Sequence, residues 1–283
     1  MSLSSLTTYL PQSPCICALD SLGVVKVEGP DSKKFLQGQL TSDVNALKNG
    51  EHQTAAACTP QGRVKAFFHL VQRDESLFLI LPQSMLEAFL LGIKKYAVFF
   101  KTSLTDISSQ VRVLGLVGEA QNIAEPTYPL HYNTNRSLVI VDKDQTYASN
   151  QPESVWQCWD IVDGAPNIVP ENSEKLLPHH INLPALGTVN FKKGCYTGQE
   201  IVARMEFRGT LKTRLHRGLV GAENVAIGTE VIAGERAEGE VVASAPIGPN
   251  QWAVLFTLND SALSNSLHLS SESAPILQRV DPS

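Results

Sequence analysis

The amino-acid sequence predicts an α+β protein that ends in a small all-β barrel. Two observations carry this. As far as residue 208, short strand-like runs are mixed with segments of helical periodicity. Beyond Gly209 only short strand-like runs remain, separated by Gly, Pro and Asn, and none has a good helical pattern. The 283 residues, 43% of them hydrophobic, suffice for two or three domain cores. They exclude a wholly disordered chain.

The elements follow in order. Residues 23–29 alternate apolar and polar side chains between two glycines and read as a strand. Asp31-Ser32 offers an N-cap to a helix with the apolar stripe Phe35, Leu36 and Leu40. Thr41-Ser42-Asp43 is a second cap or a turn. Residues 55–58 and 64–71 pair as a hairpin around Pro60-Gln61-Gly62. Residues 77–81 form a strand, 85–96 a helix, and Val98-Phe99-Phe100 an apolar run. Residues 111–117 are a strand, followed by Gly118 and a helix through Ile123. Gly115-x-x-Gly118 lacks the full dinucleotide fingerprint and reads as a plain strand–turn–helix. Residues 138–141 form a strand. Residues 154–162 read as a helix end or a strand, closed by Gly164-Ala165-Pro166. Residues 215–220, 230–233, 239–244 and 251–258 supply a terminal barrel of about seventy residues.

Composition narrows the function classes. A net charge of −5 argues against a generally basic nucleic-acid binder. The five cysteines, Cys15, Cys17, Cys58, Cys158 and Cys195, are odd in number in a long chain. A disulfide scaffold is not expected, and a reducing compartment is. The first ten residues carry no signal or transit pattern, and no apolar run is long enough to span a membrane. The expectation is a soluble cytoplasmic bacterial protein with no membrane partner.

One segment concentrates chemistry, residues 190–204. Gly194 and Gly198 bracket Cys195 in a tight turn that lets backbone approach a ligand. Lys192 and Lys193 precede the thiol, and residues 198–204 read as a helix with Glu200 in its first turn. Both features favour a thiolate. From Lys192 to Arg217 seven Lys/Arg face two Glu, a local +5 that leaves −10 on the remainder. Such a field suits an anionic partner, or forms a solvated face at a domain joint. Cys15-x-Cys17 has no matching ligand set and reads as an incidental pair. His179 and His180 are adjacent, which disfavours a shared metal from one helix. Trp156 and Trp159 share a helical side, for core packing or as a flat wall against an aromatic ligand.

Lys193-Gly-Cys-Tyr-Thr-Gly-Gln-Glu200 closely resembles the signature of the YgfZ family of folate-binding proteins, relatives of the glycine-cleavage T-protein. Phe35-Leu-Gln-Gly-Gln-Leu-Thr-Ser-Asp43, Pro60-Gln-Gly-Arg-Val-Lys65, Lys94-Lys-Tyr-Ala-Val98 and Gly164-Ala-Pro166 agree with it. The resemblance runs from about Leu19 to the end and is strongest from Asn182 to Arg214. It implies three domains around a central funnel: residues 1–49 with 105–208, an insert at 50–104, and the barrel at 209–283.

It also implies binding of tetrahydrofolate or a one-carbon derivative, and support of the assembly or repair of iron–sulfur client enzymes, tRNA-modifying ones included. The implied folate contacts are Trp156, Leu22, Lys193, Gly194, Tyr196, Gly198, Gln199, Glu200 and Arg204, with Cys195 as reactive thiol. Leu22 stands where the family has a second pocket tryptophan, and basic residues are expected at the mouth for the glutamate tail. The T-protein's catalytic aspartate pair would follow a Gly-Gly step, where this chain has Ala66 and Phe67. Glycine cleavage is therefore not expected. Two other readings stand beside this one: a folate-dependent one-carbon transferase, and a nucleic-acid binder, tRNA included, using the basic 192–217 segment. The latter has only Tyr196 and Phe207 as interleaved aromatics.

Overall fold

The computed structural model describes residues 6–11, 14–119, 123–270 and 276–280. In chain order the elements are β1 (Cys15–Ala18), β2 (Leu22–Glu28), α1 (Ser32–Gln37), β3 (His52–Cys58), β4 (Val64–Arg73), β5 (Ser76–Pro82), α2 (Leu86–Ala97) and β6 (Ser103–Asp106). There follow β7 (Val111–Val117), β8 (Thr127–Leu130), β9 (Asn133–Asp142), α3 (Glu153–Asp163) and α4 (Gln199–Arg208). The chain continues through β10 (Thr213–Gly221), β11 (Glu230–Ala233), β12 (Arg236–Gly248), β13 (Gln251–Asn259), β14 (Leu267–Leu269) and β15 (Leu277–Val280).

The named strands form three antiparallel sheets, in the orders β3-β4-β5-β2-β6, β1-β7-β9-β8 and β14-β11-β12-β13-β10-β15. The third is the expected barrel. Its edge strands meet through a bridge between His268 and Ile276, so the sheet curls back on itself. The first sheet is buried on both faces. Val25, Phe68, Leu70 and Leu79 lie under α1 and α2. Val24, Val71, Phe78 and Ile80 pack on the second sheet. β2 pairs with β5 and β6, so hydrogen bonds cross the boundaries expected at 49/50 and 104/105.

Other local expectations are corrected. Asp31 does not cap α1; its carboxylate accepts from the Lys101 amide at 2.8 Å, tying α1 to the chain after α2. α1 ends at Gln37, and Leu40 instead makes a bridge to Ala57. Gly118 leads into a bend rather than a helix, and Ile123 is not helical; residues 120–122 of that expectation lie outside the described residues. The ambiguous 154–162 run is helical. Gly164, at φ +78°, takes the left-handed conformation that ends it, and Ala165 donates back to the Asp160 carbonyl.

Between Gly164 and Gly198 the chain has no regular element yet is ordered by its core. Ile168, Ile181, Leu183 and Leu186 pack on Ala56, Val64 and Phe67. Backbone bonds from Val64 N to Leu176 O and from Asn190 N to Thr41 O pin the segment to β4 and to the loop between α1 and β3.

α3 is held on the second sheet by close contact. Gly115 has no side chain because the Trp156 ring lies there; a Cβ would come within 2.3 Å of it. The Arg136 guanidinium lies 3.8 Å from the centre of the Trp156 ring. Gly115→Ala therefore forces ring or strand to shift. A loss of about 1–3 kcal/mol is expected, read as a lower urea midpoint with an unchanged denaturant slope.

Candidate functional site

Helix α3 presents one face to a cavity. Glu153, Trp156, Gln157 and Asp160 sit at the i, i+3, i+4, i+7 spacing of a single helical face, and all four line it. Leu22 and Pro82 from the first sheet face them, with Phe67 and His69 of β4. Ala243 and Ser244 of the barrel complete the wall. The cavity volume is about 60 Å³, and the cavity is partly open to solvent. Trp156 is 2% exposed. It belongs to the core and also lines the cavity.

The cavity is acidic. Asp160 accepts from Arg136 Nη2 at 2.7 Å, and Asp163 from Nη1 at 2.6 Å. Burial nevertheless pushes the Asp160 carboxyl up to about 6, against the pull of Arg136. Glu153 accepts from the Ser21 amide at 3.2 Å and from its hydroxyl, fixing the turn into β2. Burial raises its carboxyl as well. The lining contains no Lys or Arg, so the basic mouth expected here is not found at this cavity. Of the two hairpin positions, Phe67 lines this cavity, whereas Ala66 belongs to the core under α1 and α2. The carboxylates of the cavity come from α3. Sequence reasoning missed Glu153 and Asp160, though their spacing around Trp156 was a usable signal.

It also missed three histidines. The His131 amide donates to His52 Nδ1 at 3.2 Å. His52 Nε2 is then free to donate to His69 Nδ1, 2.8 Å away. His131 Nε2 donates to the Leu186 carbonyl at 2.7 Å. The chain joins β3, β4, the β8–β9 turn and the irregular segment. Burial first, then Arg136 and His131, push His69 down to about 3; burial first, then His69, His131 and Arg136, depress His52. No sequence signal could have joined residues this far apart.

The motif segment lies apart from this cavity. Among the expected folate contacts, Trp156 and Leu22 share the cavity, whereas Lys193, Gly194, Tyr196, Gly198, Gln199, Glu200 and Arg204 do not line it. Lys193 Nζ donates to the carbonyls of Gln37, Leu40 and Ser42 at 2.6–2.8 Å. Burial lowers its ammonium to about 8. Gly198, at φ +84°, touches the protein itself: a Cβ there would meet the Thr59 carbonyl at 2.4 Å. Close approach thus serves the β3–β4 hairpin loop. Tyr196 is buried, its hydroxyl without a partner. Glu200 and Arg204 are exposed on α4.

Cys195 is exposed, while the other four cysteines are buried. Burial raises their thiols, those of Cys17, Cys58 and Cys158 to about 12. Cys15 and Cys17 are core thiols of β1, and among the described residues no cluster of three or more His, Cys, Asp or Glu could hold a metal. The basic segment is partly committed. Arg217 caps α3 through the Ile161 and Val162 carbonyls, and Arg214 pairs with Asp260 at 3.2 Å. Among the described residues no helix is long and apolar enough to cross a membrane.

The fold and cavity define a class. The chain aligns with the glycine cleavage system aminomethyltransferase T of Bartonella henselae at a TM-score of 0.69 and 12% identity, covering 99% of this chain and 88% of that one. It has the T-protein fold. It is 32% identical over 281 residues to the tRNA-modifying protein YgfZ of Photorhabdus laumondii, covering 87% of this chain and 84% of the relative. It is 32% identical over 290 residues to that of Serratia proteamaculans, covering 90% and 87%. The chain belongs to the YgfZ family. No protein-family model matches it.

Two outcomes follow from this geometry. Unfolded histidines take up protons below about 6.5, whereas folded His69 does not. Its stabilising contribution is complete above that pH and falls away toward pH 3. Asp160 acts oppositely, since its raised carboxyl favours the fold as pH drops from about 6. Substitution isolates the histidine: relative to wild type, His69→Gln should gain about 1–2 kcal/mol between pH 6.5 and 5, measured by urea unfolding at each pH. In native protein, N-ethylmaleimide should modify Cys195 well before the other four, as read by peptide mass mapping. Equal labelling of Cys58 or Cys158 would refute the described burial.

Proposed function

We propose that this chain is a folate-binding accessory protein for iron–sulfur enzymes, tRNA-modifying ones among them, with a reduced folate in the α3 cavity and Cys195 as its reactive thiol. The observation that carries the reading is the face of α3. One helix turns an aromatic wall and two carboxylates, Glu153 and Asp160, into one cavity. A pterin is flat and presents adjacent N–H donors on one edge. A carboxylate accepts two parallel hydrogen bonds from such an edge, and Trp156 offers an aromatic surface. The acceptor set fits the pterin edge. With no cation in the lining, the glutamate tail would extend outside the cavity. When bound, the folate supplies one-carbon chemistry; the protein's own groups bind, orient and exclude water around it.

Cys195 stands outside that cavity and reaches solvent, so it acts on a partner. Only its thiolate is a nucleophile or a metal ligand. The T-protein fold, the YgfZ relatives and the motif support the reading together. The domain division at 1–49 with 105–208, 50–104 and 209–283 belongs to the same proposal, with the first sheet bonded across two of its joints.

Calorimetry with tetrahydrofolate tests this. Wild type should bind, and Trp156→Phe should bind several-fold more weakly, as expected for a loss of about 0.5–1.5 kcal/mol of stacking. Cys195→Ala should bind folate normally but fail to support iron–sulfur enzyme activity in a deletion strain. Absence of binding to wild type up to about 1 mM ligand would overturn the folate reading. Full complementation by Cys195→Ala would overturn the role of the thiol.

A further inference from the structure

A second and larger cavity, about 390 Å³, lies on the other side of the β3–β4 hairpin, between it and helix α2. Its size falls in the range of small-molecule pockets, ~300–1,000 Å³. Its floor is apolar, built from Met85, Phe89 and Ile93 of the core under the first sheet. Lys65 and Lys95, both partly or fully open to solvent, are its cations. Glu174, 3.5 Å from Lys65, offsets one of them. Lys95 stands over the Tyr96 ring at 5.0 Å, and Tyr96 lines the cavity too. Thr197, two residues after Cys195, forms part of the wall.

The space is kept open by an unfavourable residue. Gly92 lies in the interior of α2, where glycine costs about 1 kcal/mol against alanine. Its φ is not left-handed, and a Cβ there would meet nothing nearer than the Lys65 ammonium at 3.5 Å. Neither backbone conformation nor close packing accounts for the glycine. Its missing side chain leaves room between an apolar floor and two lysines.

We propose that this cavity binds a small amphipathic anion: an aryl or acyl body on the Met85–Phe89–Ile93 floor, with a carboxylate, sulfonate or phosphate against Lys65 and Lys95. A neutral apolar ligand would leave both ammonium groups unused, and a highly charged one would leave the floor wet. The inference does not depend on folate in the α3 cavity, whose acidic lining suits a different ligand edge.

The test uses the full chain and two matched probes, 1-naphthaleneacetate and its neutral amide, followed by ligand-observed NMR and calorimetry. Wild type should bind the acetate, and the amide about tenfold more weakly, the worth of one charge-assisted hydrogen bond. Gly92→Leu fills the cavity and should remove binding of both while leaving the thermal midpoint at or above wild type. Lys65→Met with Lys95→Met should weaken the acetate alone. Unchanged acetate binding in folded Gly92→Leu would overturn the proposal. So would equal affinity for acetate and amide. Saturating tetrahydrofolate should leave acetate binding unchanged; competitive displacement would make this the folate's own site and overturn a separate one.

Discussion

Arg136 is completely buried, and a guanidinium cannot lose its charge to escape the cost of leaving water. It must be met by anions at fixed positions. Asp160 and Asp163 meet it from α3, the Trp156 carbonyl accepts at 3.3 Å, and the Trp156 ring covers it. Three partners on one helix, spaced over two turns, set the rotation of that helix about its own axis. The same rotation turns Glu153, Trp156, Gln157 and Asp160 toward the cavity. Asn133, donating to Asp163 at 2.9 Å, extends the arrangement along β9. A buried ion network of this kind contributes little net stability against an apolar alternative, yet breaking one member leaves a buried charge uncompensated. Its gain here is orientation.

Much of the secondary structure was legible because its causes are local. Alternation marked β2, the Pro60-Gln61-Gly62 turn marked the hairpin, and the glycine- and proline-cut runs marked the barrel. Local signals failed where distant partners decide. Asp31 looked like a cap, but the Lys101 amide takes its carboxylate. Residues 154–162 were ambiguous because Val, Trp and Ile suit a strand as well as a helix; the pairing of Asp160 and Asp163 with Arg136 favours the helix. The His52–His69–His131 chain draws on three elements and has no sequence spacing to betray it.

The motif was legible as important, but its reasons are different from those its residue types suggested. Glycine beside cysteine suggested room for a ligand, and a lysine beside cysteine suggested a charge for the thiol. In the fold, Gly198 makes room for the Thr59 carbonyl, and Lys193 is spent on three carbonyls of the 37–42 turn. A residue pattern shows that a turn is special without showing whether a ligand or the chain itself fills it. Cys195 stands exposed in that turn, next to the buried Tyr196.

The β3–β4 hairpin then gains a meaning beyond its strands. Phe67 and His69 line the α3 cavity, Ala66 and Lys65 line the cavity under α2, and the hairpin loop packs against Gly198. Three candidate centres therefore share one rigid ribbon whose neighbours in the sheet are buried on both faces. Such a ribbon moves as a unit if it moves at all, because packed cores shift between discrete arrangements rather than flexing continuously.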